Sequence, residues 1–146
     1  MEVAMKTYGG FYVSRIQKMC GRVFEKLLRK NRLDAFNGPQ GRILYVLWEH
    51  GMLPFSDVGK YTSLAKTTLT SMIDRMEENG LVERIPDKED RRQVYVSITD
   101  KARKYRQKYN KVSDEMNALF YKGFSAEEIQ QLEKMLERII ANLEES

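Results

Sequence analysis

Five polar side chains, Lys66, Thr67, Thr68, Thr70 and Ser71, fall on the solvent side of a stretch with helical spacing. They offer short hydroxyl donors and acceptors, threonine methyls and one cation. Base edges in the major groove of B-DNA present donors, acceptors and the thymine methyl, so this mix could read them. A plain solvated helix face has the same composition, and the five alone do not separate the two. Further along, Lys88, Asp90, Arg91 and Arg92 occupy a charged turn between two β-rich stretches, with Arg75 and Arg84 before it, and all six are candidate DNA contacts. Guanidinium at a projecting tip suits the negative potential of a narrow minor groove. Other chemistry has little to stand on. The chain has one histidine, His50, and one cysteine, Cys20. It has no phosphate-cradling glycine loop, no nucleophile elbow and no paired metal-ligand spacing. We therefore expect no enzyme, no metal and no cofactor.

Apolar periodicity and turn residues define the helices and strands on which these residues sit. Leu69, Met72, Ile73 and Met76 recur at three and four residues and give a helix from about Ala65 to Asn79, with Gly80 as its stop. Leu81 to Ile85 and Gln93 to Ile98 read as strands, and Val94, Val96 and Ile98 share one face. The connection from Pro86 to Arg92 is too polar to bury and would project. Upstream, Ser56 is a candidate cap for a short helix from Asp57 to Tyr61. Thr62 and Ser63 make a turn, Leu64 plugs the junction, and Gly59 stands where two helices are expected to approach closely. Met52 to Phe55 could form a minor strand. An earlier helix, capped by Asn37 with Pro39 in its first turn, runs to His50 and ends at Gly51, burying Ile43, Leu44, Leu47 and Trp48. This order is a winged helix-turn-helix.

The flanks are helical. A stripe from Tyr8 through Phe11, Tyr12, Ile16, Met19, Cys20 and Phe24 to Leu28 predicts a long helix from about Lys6 to Arg32. After the wing, Thr99 can cap one helix from Asp100 to Tyr121. Gly123 breaks it, and the capping box Ser125–Glu128 starts another that carries Ile129, Leu132, Leu136, Ile139 and Leu143. Two such seams predict a helical hairpin with coiled-coil-like packing, and a second copy of the chain would cover what stays exposed. The 146 residues allow one core plus a dimer arm. The net charge of +4 is weak evidence for nucleic acid, because residues 53–100 hold nine acids and seven bases. No apolar run approaches a membrane span and the N-terminus lacks a secretory pattern, so a cytoplasmic protein with no membrane partner is expected. Cys20 lies on the apolar stripe, where burial would leave it inert.

The run LTSMIDRMEENGLVERIPDKEDRRQVYVSIT resembles the signature of the MarR family of transcription regulators. The matching pieces are Leu69–Thr70, Asp74 to Glu77, Gly80 to Arg84, Asp90 to Arg92 and Ile98–Thr99, with Phe36 to Gln40 and Leu44 to Trp48 upstream. The resemblance implies a mainly α (α+β) homodimer. Its parts would be an N-terminal dimerisation helix (1–36), a winged helix-turn-helix lobe (37–99) and a C-terminal helical hairpin (100–146). It implies a repressor that binds a pseudo-palindromic operator in double-stranded DNA through Lys66, Thr67, Thr68, Thr70 and Ser71. Arg92, with Arg91, would enter the minor groove, and Asp74 would pair with Arg92 to brace the wing. It implies release by a small phenolic or anionic effector, for which Tyr12, Arg15, Phe36, Tyr45 and His50 are candidate lining residues. Two alternatives remain: a redox-sensing regulator using Cys20, and a winged-helix protein–protein adaptor, which would leave random duplex DNA unshifted even at low salt.

Overall fold

The structure is a computed structural model and describes residues 4–146; the first three residues of the expected N-terminal arm lie outside the described residues. The chain forms α1 (Gly9–Lys30), α2 (Gly38–His50), β1 (Met52–Pro54), α3 (Phe55–Thr62), α4 (Lys66–Glu78), β2 (Val82–Pro86), β3 (Val94–Ile98), α5 (Asp100–Arg103), α6 (Arg106–Phe120) and α7 (Ala126–Glu144). The sheet is three-stranded and antiparallel, in the order β1–β3–β2. The expected winged helix-turn-helix is therefore present, and the short segment after Gly51 is a strand beside the wing hairpin.

The lobe core follows the apolar periodicity. Ile43, Leu44, Leu47 and Trp48 of α2 are buried against Val58 of α3, Leu69, Ile73 and Met76 of α4, and Val96 and Ile98 of β3. Several helix ends are fixed by the residues expected to fix them. Asn37 accepts the Gln40 amide at 2.9 Å, and Gln40 Oε1 accepts the Asn37 amide at 3.1 Å. Ser125 and Glu128 make the same reciprocal pair. Thr99 Oγ1 accepts the Ala102 amide and donates to the Gly80 carbonyl at 2.7 Å, tying the start of α5 to the end of α4. Gly80 has a φ of +73° and closes α4 with bonds from its own amide to the Glu77 carbonyl and from Leu81 to Met76. That paired pattern satisfies carbonyls a helix end leaves open.

Several expectations are corrected. α1 spans Gly9–Lys30 rather than Lys6 to Arg32: Tyr8 stands at its N-cap without a side-chain hydrogen bond, and Arg32 has a φ of +55°, outside the helical region. Ser56 caps nothing: α3 begins at Phe55, directly after Pro54, with no side-chain cap. Gly59 is not forced by a close approach, since an added Cβ would lie 3.6 Å from the nearest atom of Leu69, an ordinary contact. The helix expected from Asp100 to Tyr121 is interrupted at Lys104–Tyr105. There the Ala102 carbonyl takes the Trp48 indole N–H at 3.2 Å and the Tyr105 amide at 3.1 Å, a tighter turn than an α-helix makes. Finally, the coiled-coil packing between α6 and α7 is not made within one chain. α6 packs on α1 instead, and α7 buries none of its residues. Its link back is a hydrogen bond of 2.7 Å from the Tyr121 hydroxyl to Glu133.

Candidate nucleic-acid interface

α4 presents its buried side to the lobe core and leaves Lys66, Thr67, Thr68, Thr70 and Ser71 exposed on the other side, with Arg75 exposed in its last turn. The polar face is therefore available to a partner along its whole length. Thr70 is already partly committed: its Oγ1 donates to the Lys66 carbonyl at 2.8 Å. What it can still show a ligand is an acceptor lone pair and its methyl group.

The wing tip is built by two aspartates. Asp87 Oδ1 accepts the Glu89 amide at 2.9 Å, and its amide donates to the Gln93 carbonyl at 3.1 Å. Asp90 Oδ1 accepts the Arg92 amide at 3.0 Å and Arg92 Nε at 3.5 Å. Such side-chain-to-backbone bonds two residues apart fold a tight turn without apolar packing. Asp87 also receives the Tyr95 hydroxyl, and the nearby carboxylate charge raises the pKa of that phenol. The Arg92 side chain stays 93% exposed, and Arg91 and Lys88 are exposed as well.

The expected wing brace is corrected. Asp74 does not pair with Arg92, which is held by Asp90 within the wing. Asp74 instead accepts Arg84 Nη2 at 2.5 Å, and Glu77 accepts Arg84 Nη1 at 2.8 Å and the Arg84 amide at 3.2 Å. The reason is reach: Arg84 on β2 lies directly beside α4, whereas Arg92 sits beyond the end of the sheet pairing. Burial opposes charge on Arg84, but the bonds and charges of the two carboxylates outweigh it and raise its pKa.

Between α3, α4 and the wing runs a groove of about 740 Å³. Its floor is apolar, with Phe55, Leu64, Leu69 and Val94, and its walls carry Lys60, Lys66, Arg84 and Arg92. Four of the seven bases in residues 53–100 thus line it, and of the nine acids there only Asp90 does. An acid-leaning lobe has gathered its cations on one side. Lys60 and Ser56 belong to this wall and were missed in the sequence, where nothing in their spacing distinguishes them from solvated helix surface.

The five residues expected to line an effector pocket do not come together. Phe36 is buried in the core beside Trp48, Tyr105 and Tyr109. His50 is exposed and stacks on Tyr61, with centroids 4.9 Å apart. Tyr12 and Arg15 lie on the exposed part of α1, and Tyr45 is exposed on α2. A crevice of about 350 Å³ does open between α1, α2 and α6, but it is lined by other side chains, among them Phe24, Glu25, Arg42, Tyr109 and Met116. Cys20 also lines it and is half-buried, not sealed in the core as expected.

Comparison with known proteins accords with this architecture. The MarR family model matches residues 36–94. The chain is 31% identical to the HTH-type transcriptional repressor IacR of Pseudomonas putida, over 92% of this chain and 78% of that protein. It is equally 31% identical to the homoprotocatechuate degradative operon repressor of Escherichia coli, over 81% of this chain and 78% of that one. A crystal structure of a point mutant of MarR from E. coli complexed with operator DNA superposes with a TM-score of 0.80 at 22% identity, covering 92% of this chain and 99% of that chain. With the lobe, the wing and the chain-long relatives in agreement, this chain belongs to the MarR family of winged-helix transcription regulators, which bind DNA.

Proposed function

We propose that two copies of this chain form a dimer that represses transcription by binding a pseudo-palindromic operator, and that a small phenolic or anionic effector releases it. One observation carries the DNA reading: the cationic groove lies between α4 and the wing. A helix in the major groove and a finger in the adjacent minor groove are separated by one sugar-phosphate strand. That strand needs a channel lined by cations, and Lys60, Lys66 and Arg92 line the one found here. Lys66, Thr67, Thr68, Thr70 and Ser71 then face base edges, Arg92 enters the minor groove and Arg91 and Lys88 approach the flanking backbone. Arg75 extends the same exposed face.

Dimerisation is supported by the apolar side chains that a single chain leaves in water on α1 and α7. The two recognition helices would meet successive major grooves about 34 Å apart. The crevice between α1, α2 and α6 is the site best suited to an effector, since it joins the dimer arm to the lobe. Arg42 offers it a cation and Tyr109 an aromatic wall. An effector acts there only if it prefers the lobe spacing that misses the operator.

The test is a binding series on operator and random duplex across salt concentrations. Operator fragments would come from selection on source DNA. Wild type should bind both at low salt and the operator more tightly. Arg92→Ala should weaken binding by about 1–3 kcal/mol and lower the salt slope by about 1. No shift of any duplex at low salt would favour a protein–protein adaptor instead, and normal binding by Arg92→Ala would overturn the wing assignment.

A further inference from the structure

We propose that Arg84 is a positioning residue that sets the angle between the recognition helix and the wing, rather than a residue that touches DNA. The proposal rests on the DNA-binding reading above. Arg84 stands on β2, two residues before Pro86, where the chain leaves the lobe for the wing. Its guanidinium reaches two carboxylates one turn apart on α4, Asp74 at 2.5 Å and Glu77 at 2.8 Å. The same Glu77 holds the Arg84 backbone amide at 3.2 Å. Main chain and side chain of one strand residue are thus both fixed to the helix.

The surroundings argue against a direct role on phosphate. Only 26% of the Arg84 side chain is exposed, against 93% for Arg92. One guanidinium shared by two carboxylates carries a local charge of about −1, which repels a phosphate. To reach DNA, Arg84 would have to break two charge-assisted bonds. Ion pairs this near the surface add little to stability, so their use here is geometric. A planar guanidinium that gives a separate N–H to each of two carboxylates fixes direction as well as distance, which lysine cannot do. The angle matters because, among the described residues, Arg92 is anchored only within its own turn, by Asp90. Where that turn points is decided by how β2 is held against α4.

The decisive variant neutralises the brace from the helix side: Asp74→Asn with Glu77→Gln. Removing two negative charges from a DNA-binding lobe strengthens binding if electrostatics alone operates. If Arg84 is a positioning residue, the same change weakens operator binding, by about five- to tenfold, and narrows the gap between operator and random duplex. Tighter operator binding by the double variant would overturn the proposal. Fluorescence of Trp48, the single tryptophan, reports folding. Should the double variant not fold, Glu77→Gln alone, which keeps the Asp74 bond, decides by the same sign. A second arm measures Arg92→Ala in two backgrounds. Its cost should shrink by at least threefold in Arg84→Ala, because a misdirected wing has little to lose. An equal cost in both backgrounds would overturn the proposal. Wild type failing to bind operator at all would instead refute the DNA reading, so the two failures are distinct.

Discussion

Thr70 illustrates how a single hydrogen bond narrows what a residue can read. Its hydroxyl proton is spent on the Lys66 carbonyl, one turn back on the same helix. An acceptor lone pair and the methyl group are left, and of the two the methyl has a matching apolar group in the major groove, on thymine. Thr70→Ala and Thr70→Ser should therefore lose discrimination alike, by about 1 kcal/mol, whereas Thr70→Val should retain it. The measurement is the ratio of operator to random-duplex affinity for each variant. A valine variant as indiscriminate as the alanine one would mean that the hydroxyl oxygen reads the base. At this scale the sequence was informative about which residues face outward and silent about their partners. The exposure of the Lys66–Ser71 face follows from periodicity. That Arg84, and not Arg92, takes Asp74 does not, because the pairing depends on where β2 crosses α4.

At the scale of elements, the join between arm and lobe is an aromatic cluster around Tyr109 of α6. Phe24 of α1, Phe36, and Tyr45 and Trp48 of α2 all place their rings within 6.2 Å of it, centroid to centroid. Gly41 belongs to the same packing: a Cβ there would come within 2.7 Å of the Tyr109 ring. Burial pushes the Tyr109 pKa up to about 12, against the opposing influence of Arg42 and a hydrogen bond with Ser113. An unfolded tyrosine ionises at about pH 10, so the folded state holds this proton more tightly. The resulting stability is complete below about pH 10 and is lost as pH rises toward 12, since ionised phenolate favours the unfolded chain. A shift of this size corresponds to roughly 2–3 kcal/mol. Tyr109→Phe, which cannot ionise, should gain that much on wild type between about pH 9 and 12, read from urea unfolding at fixed protein concentration. A constant difference across that range would show that the hydroxyl is not held in a buried site.

For the whole molecule, the telling feature is what one chain leaves uncovered. Phe11 of α1 is 64% exposed and Leu143 of α7 is 67% exposed, and Ile16, Met19, Met135, Ile139 and Ile140 are similarly open. Apolar rows this long on two helices at opposite ends of the chain call for a second copy. Ile139→Asp should split the dimer in sedimentation at micromolar concentration while Trp48 fluorescence stays native, because α7 contributes nothing to the lobe core. Operator binding should fall with it, since a single lobe loses the linkage between half-sites. A charged Ile139 variant that remains dimeric would place the interface elsewhere.

Periodicity, caps and turn residues are local properties, and they were enough to read the helix-turn-helix, the wing hairpin, the cap at Asn37, the capping box at Ser125 and the apolar rows of α1 and α7. Other features depend on residues far apart in the chain and emerge from the way the elements pack. The indole of Trp48 and the carbonyl of Ala102 break the helix after the wing, Arg84 rather than Arg92 engages α4, and the crevice forms around Tyr109 and Arg42 instead of Tyr12 and His50. Hydrogen bonds and cavities between elements follow from how whole elements cross, and no short window of sequence holds that information.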